Sequence, residues 1–225
     1  MKSSITLQTV WQKPWYCGPT VLEILFSHFG RKVLQDDVVV AADMADSIIG
    51  RGCRIDELGV AITRLAADMV LLAKYNSSVD DVSRLTAEHN LPVGVEWRGT
   101  FLEPDGTIWE EGHYSVLTGV DWESQTITLV DPFYPGTNTA HRGGVIGIAD
   151  FEARWWDEND VPLPDDANTT ENIETWGLMF VLAPVSQAGE LAKRGLRPIS
   201  ADLLREHRRI EKLRSREFQR VKSLG

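Results

Sequence analysis

The sequence predicts an α+β fold in which helices come first, an antiparallel sheet follows, and a helical tail closes the chain. Three observations carry this. Apolar residues recur at three- and four-residue spacing up to about residue 88. From residue 91 to 183 they gather in short runs broken by turn residues. After residue 198 they return to a helical stripe. Helices grouped before strands is the order of an α+β domain, not of an alternating α/β one.

Residues 17–29 read as a helix, because Val21, Leu22, Leu25 and Phe29 share a face and Gly30 supplies a C-terminal cap. Residues 35–45 read as a second helix. Residues 54–68 form a third, with Ile55, Leu58, Ile62 and Leu65 spaced for burial. Ser78 caps a fourth over 79–88, with Asp81 in its first turn. Strands follow at 91–97, 114–120, 126–130, 145–148 and 177–182, and 150–156 is a short helix. The segment 157–176 holds seven acidic residues and no basic one, and reads as a polar loop. Pro198-Ile199-Ser200 introduces the final helix, on which Leu203, Ile210, Leu213, Val221 and Leu224 line one side. That stripe would pack on the body, on a second copy in a homodimer, or on a protein partner. The expected division is a domain at 1–184 and a basic helical extension at 185–225.

Composition narrows the classes. A chain of 225 residues, 43% hydrophobic, can bury a sizeable core. No apolar run approaches membrane-spanning length, and the first residues lack the apolar stretch of a signal peptide. Two cysteines do not make a disulfide framework, so the reading is a cytoplasmic protein with reduced thiols. Residues 190–225 hold 11 basic and 5 acidic residues, and the remainder holds 12 basic and 28 acidic. An acidic body argues against nucleic acid as a partner. It would favour a basic or Gly-containing peptide as substrate.

Cys17 is the first candidate for chemistry. It lies in Gln12-Lys13-Pro14-Trp15-Tyr16-Cys17-Gly18-Pro19-Thr20, directly before an apolar helical run. A helix N-terminus favours thiolate over thiol, and its free N–H groups, with a nearby glutamine amide, can hold an oxyanion. A cysteine nucleophile needs a base, usually histidine, and the base needs an orienting group. His28 lies about three turns beyond Cys17 on the same helix. His89 ends a helix, His207 is on the tail, and His141 is a weaker candidate in a loop. His113 begins a strand in Gly112-His113-Tyr114. The next strand ends in Asp131-Pro132-Phe133. A hairpin turn centred near residue 123 would set 115 opposite 131, which brings His113 close to Asp131. A carboxylate there would orient the imidazole toward the thiol. A metal site built from Cys17, Cys53, His113 and Asp131 lacks the paired Cys-x-x-Cys spacing of structural zinc sites, so neither metal nor cofactor is expected. Cys53 reads as structural. Trp97, Trp109, Trp122, Trp155 and Trp156 would line a groove or, more commonly for aromatics near strands, pack in the core.

These residues resemble the papain-like cysteine peptidases, in the branch of bacteriocin-processing, double-glycine leader peptidases. The resemblance rests on Gln12, on Cys17-Gly18-Pro19 opening a helix, on Gly112-His113-Tyr114 and on Asp131-Pro132-Phe133, and covers about residues 5–183. It implies a papain-like fold and a triad of Cys17, His113 and Asp131, with Gln12 completing the oxyanion hole. The family glutamine usually stands six residues before the cysteine, and Gln12 stands five before it, which leaves Gln8 as a second candidate. The phosphate-binding Gly-rich loop of bacteriocin exporters is absent from the sequence. The segment 12–18 also resembles phytochelatin synthases, which transfer a dipeptidyl unit on the same fold. The implied function is a cysteine peptidase or amide hydrolase acting through a thioester on Cys17. An acyl transferase with the same triad, or an inactive papain-like module that binds a peptide, are the alternatives.

Overall fold

A computed structural model describes residues 4–102, 105–133, 138–163 and 166–199. Three helices open the chain: α1 (Cys17–His28), α2 (Gln35–Ala41) and α3 (Ile55–Leu65). Helix α1 is apolar over most of its surface, and Val21, Leu22, Ile24, Leu25 and Phe26 are fully buried. It is therefore enclosed between α2 and α3 on one side and the sheet on the other. Helix α3 buries only its stripe of Ile55, Leu58, Ala61 and Ile62. Helix α4 (Val79–Glu88) starts as expected. The Ser78 hydroxyl accepts from the Asp81 N–H, and the Asp81 carboxylate accepts from the Ser78 N–H.

Helices α2 and α3 end earlier than their apolar patterns suggested. Asp43 takes a left-handed φ of 56°, and Ala66 turns to an extended φ of −152°. The residues after α3 become a strand, β1 (Met69–Lys74), which the sequence reading missed. Its Met-Val-Leu-Leu-Ala run is buried on both faces, so it shows no alternation that would set it apart from a helix.

Seven strands make one antiparallel sheet in the order β5-β4-β3-β2-β8-β1-β9. The central ribbon is β2 (Val93–Leu102) and β3 (Ile108–Asp121), with Trp97 opposite His113. His113 thus lies inside a long strand, not at its start. Strand β4 (Thr126–Val130) returns along β3, and Val116 pairs with Val130 and Leu117 with Leu129, the pairing that a turn near residue 123 requires. Strand β5 (Val145–Gly147) and helix α5 (Ile148–Arg154) follow.

The acidic segment 157–176 is not a loop. It is a hairpin of β6 (Trp156–Leu163) and β7 (Asp166–Trp176), closed at its base by Trp156 stacked on Trp176 at 5.5 Å. Its strands carry few apolar side chains: Val161 and Ile173 pack with Tyr75, and the rest of the docking is through polar bonds. Buried Glu96 accepts from Asn159 Nδ2 at 3.2 Å and from Thr175 Oγ1 at 3.1 Å. Asp157 accepts from Arg98 at 3.2 Å.

Strand β8 (Met179–Pro184) completes the sheet interior. Beyond it, α6 (Ala188–Ala192) and β9 (Arg197–Pro198) stay on the body: Leu191 and Leu196 are fully buried and β9 pairs with β1. The expected tail helix and its apolar stripe fall in 200–225, outside the described residues. Among the described residues, no helix is long and apolar enough to cross a membrane.

The buried Glu96 makes stability depend on pH. Burial, reinforced by the charge of Asp157, pushes its carboxyl up to about 7 from an ordinary 4.5. The folded state keeps a proton that the unfolded chain releases, so this group costs stability as pH rises from about 4.5 to about 7. Glu96→Gln keeps the acceptor and removes the titration. Thermal melts at pH 4.5 and pH 8 are expected to show a smaller loss of stability across that interval for Glu96→Gln than for the parent protein.

Candidate active site

Cys17 is the first residue of α1, and Tyr16 at the N-cap offers no side-chain cap. The first helical bond runs from the Thr20 N–H to the Tyr16 carbonyl at 2.9 Å. The Cys17 and Gly18 N–H groups precede that bond, and Pro19 has none to donate. The end of α1 is therefore a positive, donor-bearing terminus with the thiol upon it. Gly18 is required by packing, since a Cβ there would stand 2.4 Å from Cys53 Sγ. Cys53 is buried, and that burial pushes its thiol well above the ordinary range.

The sheet supplies the partners. His113 Nε2 lies 2.7 Å from Asp131 Oδ1, and both side chains are buried. Cys17 lines the same cleft as the ring, and its sulfur favours the charged imidazole. With Nε2 on the carboxylate, Nδ1 is the nitrogen left for the sulfur. Burial opposes a charged ring, yet the charge and hydrogen bond of Asp131, with the Cys17 sulfur, outweigh it and push His113 up to about 10. Burial would likewise raise the Asp131 carboxyl. The His113 charge and the donors around it hold Asp131 well below the usual carboxylate range instead. Phe101 meets the His113 ring edge-on at 5.2 Å and limits its rotation.

Gln12 stands beside them. Its N–H donates to the Pro132 carbonyl at 2.9 Å, which ties the segment before α1 to the segment that follows Asp131. Its side chain makes no hydrogen bond among the described residues, and its Oε1 is buried without a partner. Gln12, Cys17 and His113 share one cleft of about 420 Å³, walled by Trp15, Phe101, Trp109 and Phe133. Gln8 does not line it. Trp15 holds a left-handed φ of 69°, a conformation that costs a bulky residue about 1–3 kcal/mol and is maintained only by its surroundings. Asp157 of the β6–β7 hairpin covers the backbone of Gly112, where a Cβ would stand 1.8 Å from its carboxylate oxygen. The hairpin thus abuts the histidine strand. The tryptophans divide: Trp97 and Trp155 are buried, Trp109 lines the cleft, Trp122 is exposed, and Trp156 stacks on Trp176.

The sequence indicated Cys17, His113, Asp131 and Gln12, and the structure brings all four together. It adds Asn138 and Gln35, which sequence reasoning did not find, and sets His141, the weaker candidate base, against Asp131. Asn138 Nδ2 and His141 Nε2 lie 2.7 Å and 2.8 Å from Asp131 Oδ2. Buried Gln35 accepts from the Lys13 N–H at 2.9 Å and the Thr20 hydroxyl at 3.2 Å, and donates to the Trp11 carbonyl at 3.2 Å. It fixes the chain on both sides of Gln12. A glutamine in the first turn of an amphipathic helix gives no sequence signal for such a role. Among the described residues, no group of three His, Cys, Asp or Glu side chains is arranged to hold a metal ion.

A sequence model of the Peptidase_C39 like family matches residues 4–160. No curated protein matches the chain. Among solved structures, the chain is similar to the peptidase domain of Streptococcus ComA, a bi-functional ABC transporter involved in a quorum-sensing pathway. That match has 16% identity over 79% of this chain and 97% of that one, with a TM-score of 0.48. It is also similar to a double glycine motif protease from an AMS/PCAT transporter, solved in complex with the leader peptide. That match has 12% identity over 81% of this chain and 95% of that one, with a TM-score of 0.50, and it shows a shared fold.

Truncating Gln35 to Ala leaves the Lys13 N–H and the Trp11 carbonyl without their partner. Chemical denaturation of Gln35→Ala is expected to show a loss of about 1–3 kcal/mol. An unchanged midpoint would mean that the segment before α1 is held by other contacts.

Proposed function

The chain belongs to the Peptidase_C39 like family, a family of cysteine peptidases, and we propose that it hydrolyses a peptide bond through a thioester on Cys17. The observation that carries this reading is one imidazole bonded to a buried carboxylate and lining an open cleft together with a thiol at a helix N-terminus. In this mechanism His113 takes the Cys17 proton, and the thiolate–imidazolium pair is favoured by the α1 terminus and by Asp131. The thiolate attacks the scissile carbonyl carbon. The Cys17 N–H and the Gln12 amide donate to the oxyanion that forms. As the C–N bond breaks, His113 returns its proton to the departing amine. Water, deprotonated by the same imidazole, then displaces the thioester, releasing a carboxylic acid and restoring the thiol.

The substrate in this reading is an extended peptide, basic or Gly-containing. Glu111, two residues before His113 on β3, lines the cleft and favours a basic residue there. The solved double glycine motif protease holds a leader peptide, which agrees with a peptide ligand. Free Cys17 and Cys53 suit a reducing, cytoplasmic compartment. The basic C-terminal segment from residue 200 would meet a second copy or a protein partner.

Incubation with a complex peptide mixture, followed by mass spectrometry of new termini, tests the reading. The parent protein is expected to generate new termini and Cys17→Ala none. Loss of one oxyanion donor in Gln12→Ala should slow cleavage by roughly 10²–10³-fold. Equal cleavage by Cys17→Ala would overturn the proposal.

A further inference from the structure

We infer that His141 is a positioning residue for the Cys17–His113–Asp131 group, locking the Asp131 carboxylate so that one oxygen stays on His113. The inference rests on the cysteine-peptidase reading and adds a residue to it.

Asp131 is bonded at both oxygens. Its Oδ1 accepts from His113 Nε2 at 2.7 Å and from the Phe133 N–H at 2.8 Å. Its Oδ2 accepts from Asn138 Nδ2 at 2.7 Å and from His141 Nε2 at 2.8 Å. A carboxylate offers about four acceptor sites, so this one is saturated, and turning it would strain all four bonds together. Both donors on Oδ2 are themselves held: the Asn138 Oδ1 accepts from the Thr100 and Ala140 N–H groups at 3.3 Å and 3.1 Å, and His141, the titratable one of the two, is held by a third group. Its Nδ1 accepts from the Gly144 N–H at 3.2 Å. The ring proton must then sit on Nε2, facing Asp131. His141 is thereby a neutral donor, and Asp131 keeps its negative charge for the His113 imidazolium.

The chain is built to deliver that N–H. Arg142 and Val145 close a two-residue turn, with Arg142 N–H to Val145 O at 2.9 Å and Val145 N–H to Arg142 O at 3.1 Å. Gly143 and Gly144 between them take φ of 58° and 80°, the left-handed conformations of such a turn. A Cβ on Gly144 would stand 2.6 Å from the Leu129 carbonyl oxygen. The Leu129 N–H in turn donates to the Gly144 carbonyl at 2.8 Å, fastening the turn to β4, the strand that leads into Asp131. The His141 ring lies 6.4 Å from the ring of Trp97, the residue opposite His113 in the sheet. His141 is not a second base. It faces a separate depression beside Thr9 and Trp11, not the cleft that contains Cys17.

Alkylation of Cys17 by iodoacetamide, followed by mass spectrometry from pH 5 to pH 10 on the full chain, tests this without a known substrate. The parent, His113→Ala, His141→Leu and His141→Gln are compared, with thermal melts alongside. Leu fills the site without a donor, and Gln can donate from its Nε2. His141→Leu is expected to move the half-maximal rate up by about one pH unit, a tenfold change at a given pH, and His141→Gln to restore the parent profile. Should His141→Leu not fold, His141→Asn, whose shorter amide falls short of Asp131, takes its place. A His141→Leu profile equal to the parent's overturns the inference and leaves the peptidase reading standing. So does a His141→Gln profile as displaced as that of His141→Leu, since shape rather than the donor would then matter. A parent profile identical to that of His113→Ala overturns both.

Discussion

The 2.7 Å contact between His113 and Asp131 is the interaction around which this molecule is organised. Both groups are buried, where an unpaired charge would be expelled or neutralised. Together they offset one another's desolvation, and the Cys17 sulfur adds to the balance on the open side. The consequence is a ring that favours its charged form and so can hold the proton taken from the Cys17 sulfur. That arrangement has a stringent geometric requirement, because a displaced carboxylate would leave a buried cation unsupported.

Three separate parts of the fold meet that requirement. The β3–β4 pairing carries the chain from His113 to Asp131 through a known number of residues, with Val116 on Val130 nearest the site. Gln35 and the Gln12–Pro132 bond hold the segment ahead of α1, so that the thiol arrives at the imidazole from the helix layer. The β6–β7 hairpin covers Gly112 and is itself held by Glu96 and Arg98, from the strand opposite His113. The polar layer under the hairpin is unusual as a stabilising device, since Glu96 must stay protonated to be comfortable there. Its bonds fix where the hairpin lies more than they add stability.

Much of this was legible in the sequence because it follows from local rules. A cysteine before an apolar helical run, and a histidine and an aspartate set opposite by hairpin arithmetic, require only chain spacing. The family resemblance rested on the same residues, and the family match and shared fold agree with it. What was not legible depends on tertiary context. Strand β1 is apolar on both faces and continues the helical look of α3. Strands β6 and β7 hide as a loop because, apart from Val161 and Ile173 packed with Tyr75, their partners are a buried carboxyl and an arginine. Asn138 and His141 reach Asp131 by a return of the chain beyond β4, for which no periodicity exists. Gln35 lies in a helix whose pattern speaks only of its apolar side.

The chemistry of the cleft turns on whether the His113 imidazole carries a charge between Cys17 and Asp131. An NMR titration of that ring in the parent protein and in Cys17→Ala answers this. The expected midpoint is near 10 in the parent, against an ordinary 6.5, and lower once the sulfur is gone. Titration near 6.5 in both proteins would mean that the ring is not held as a cation.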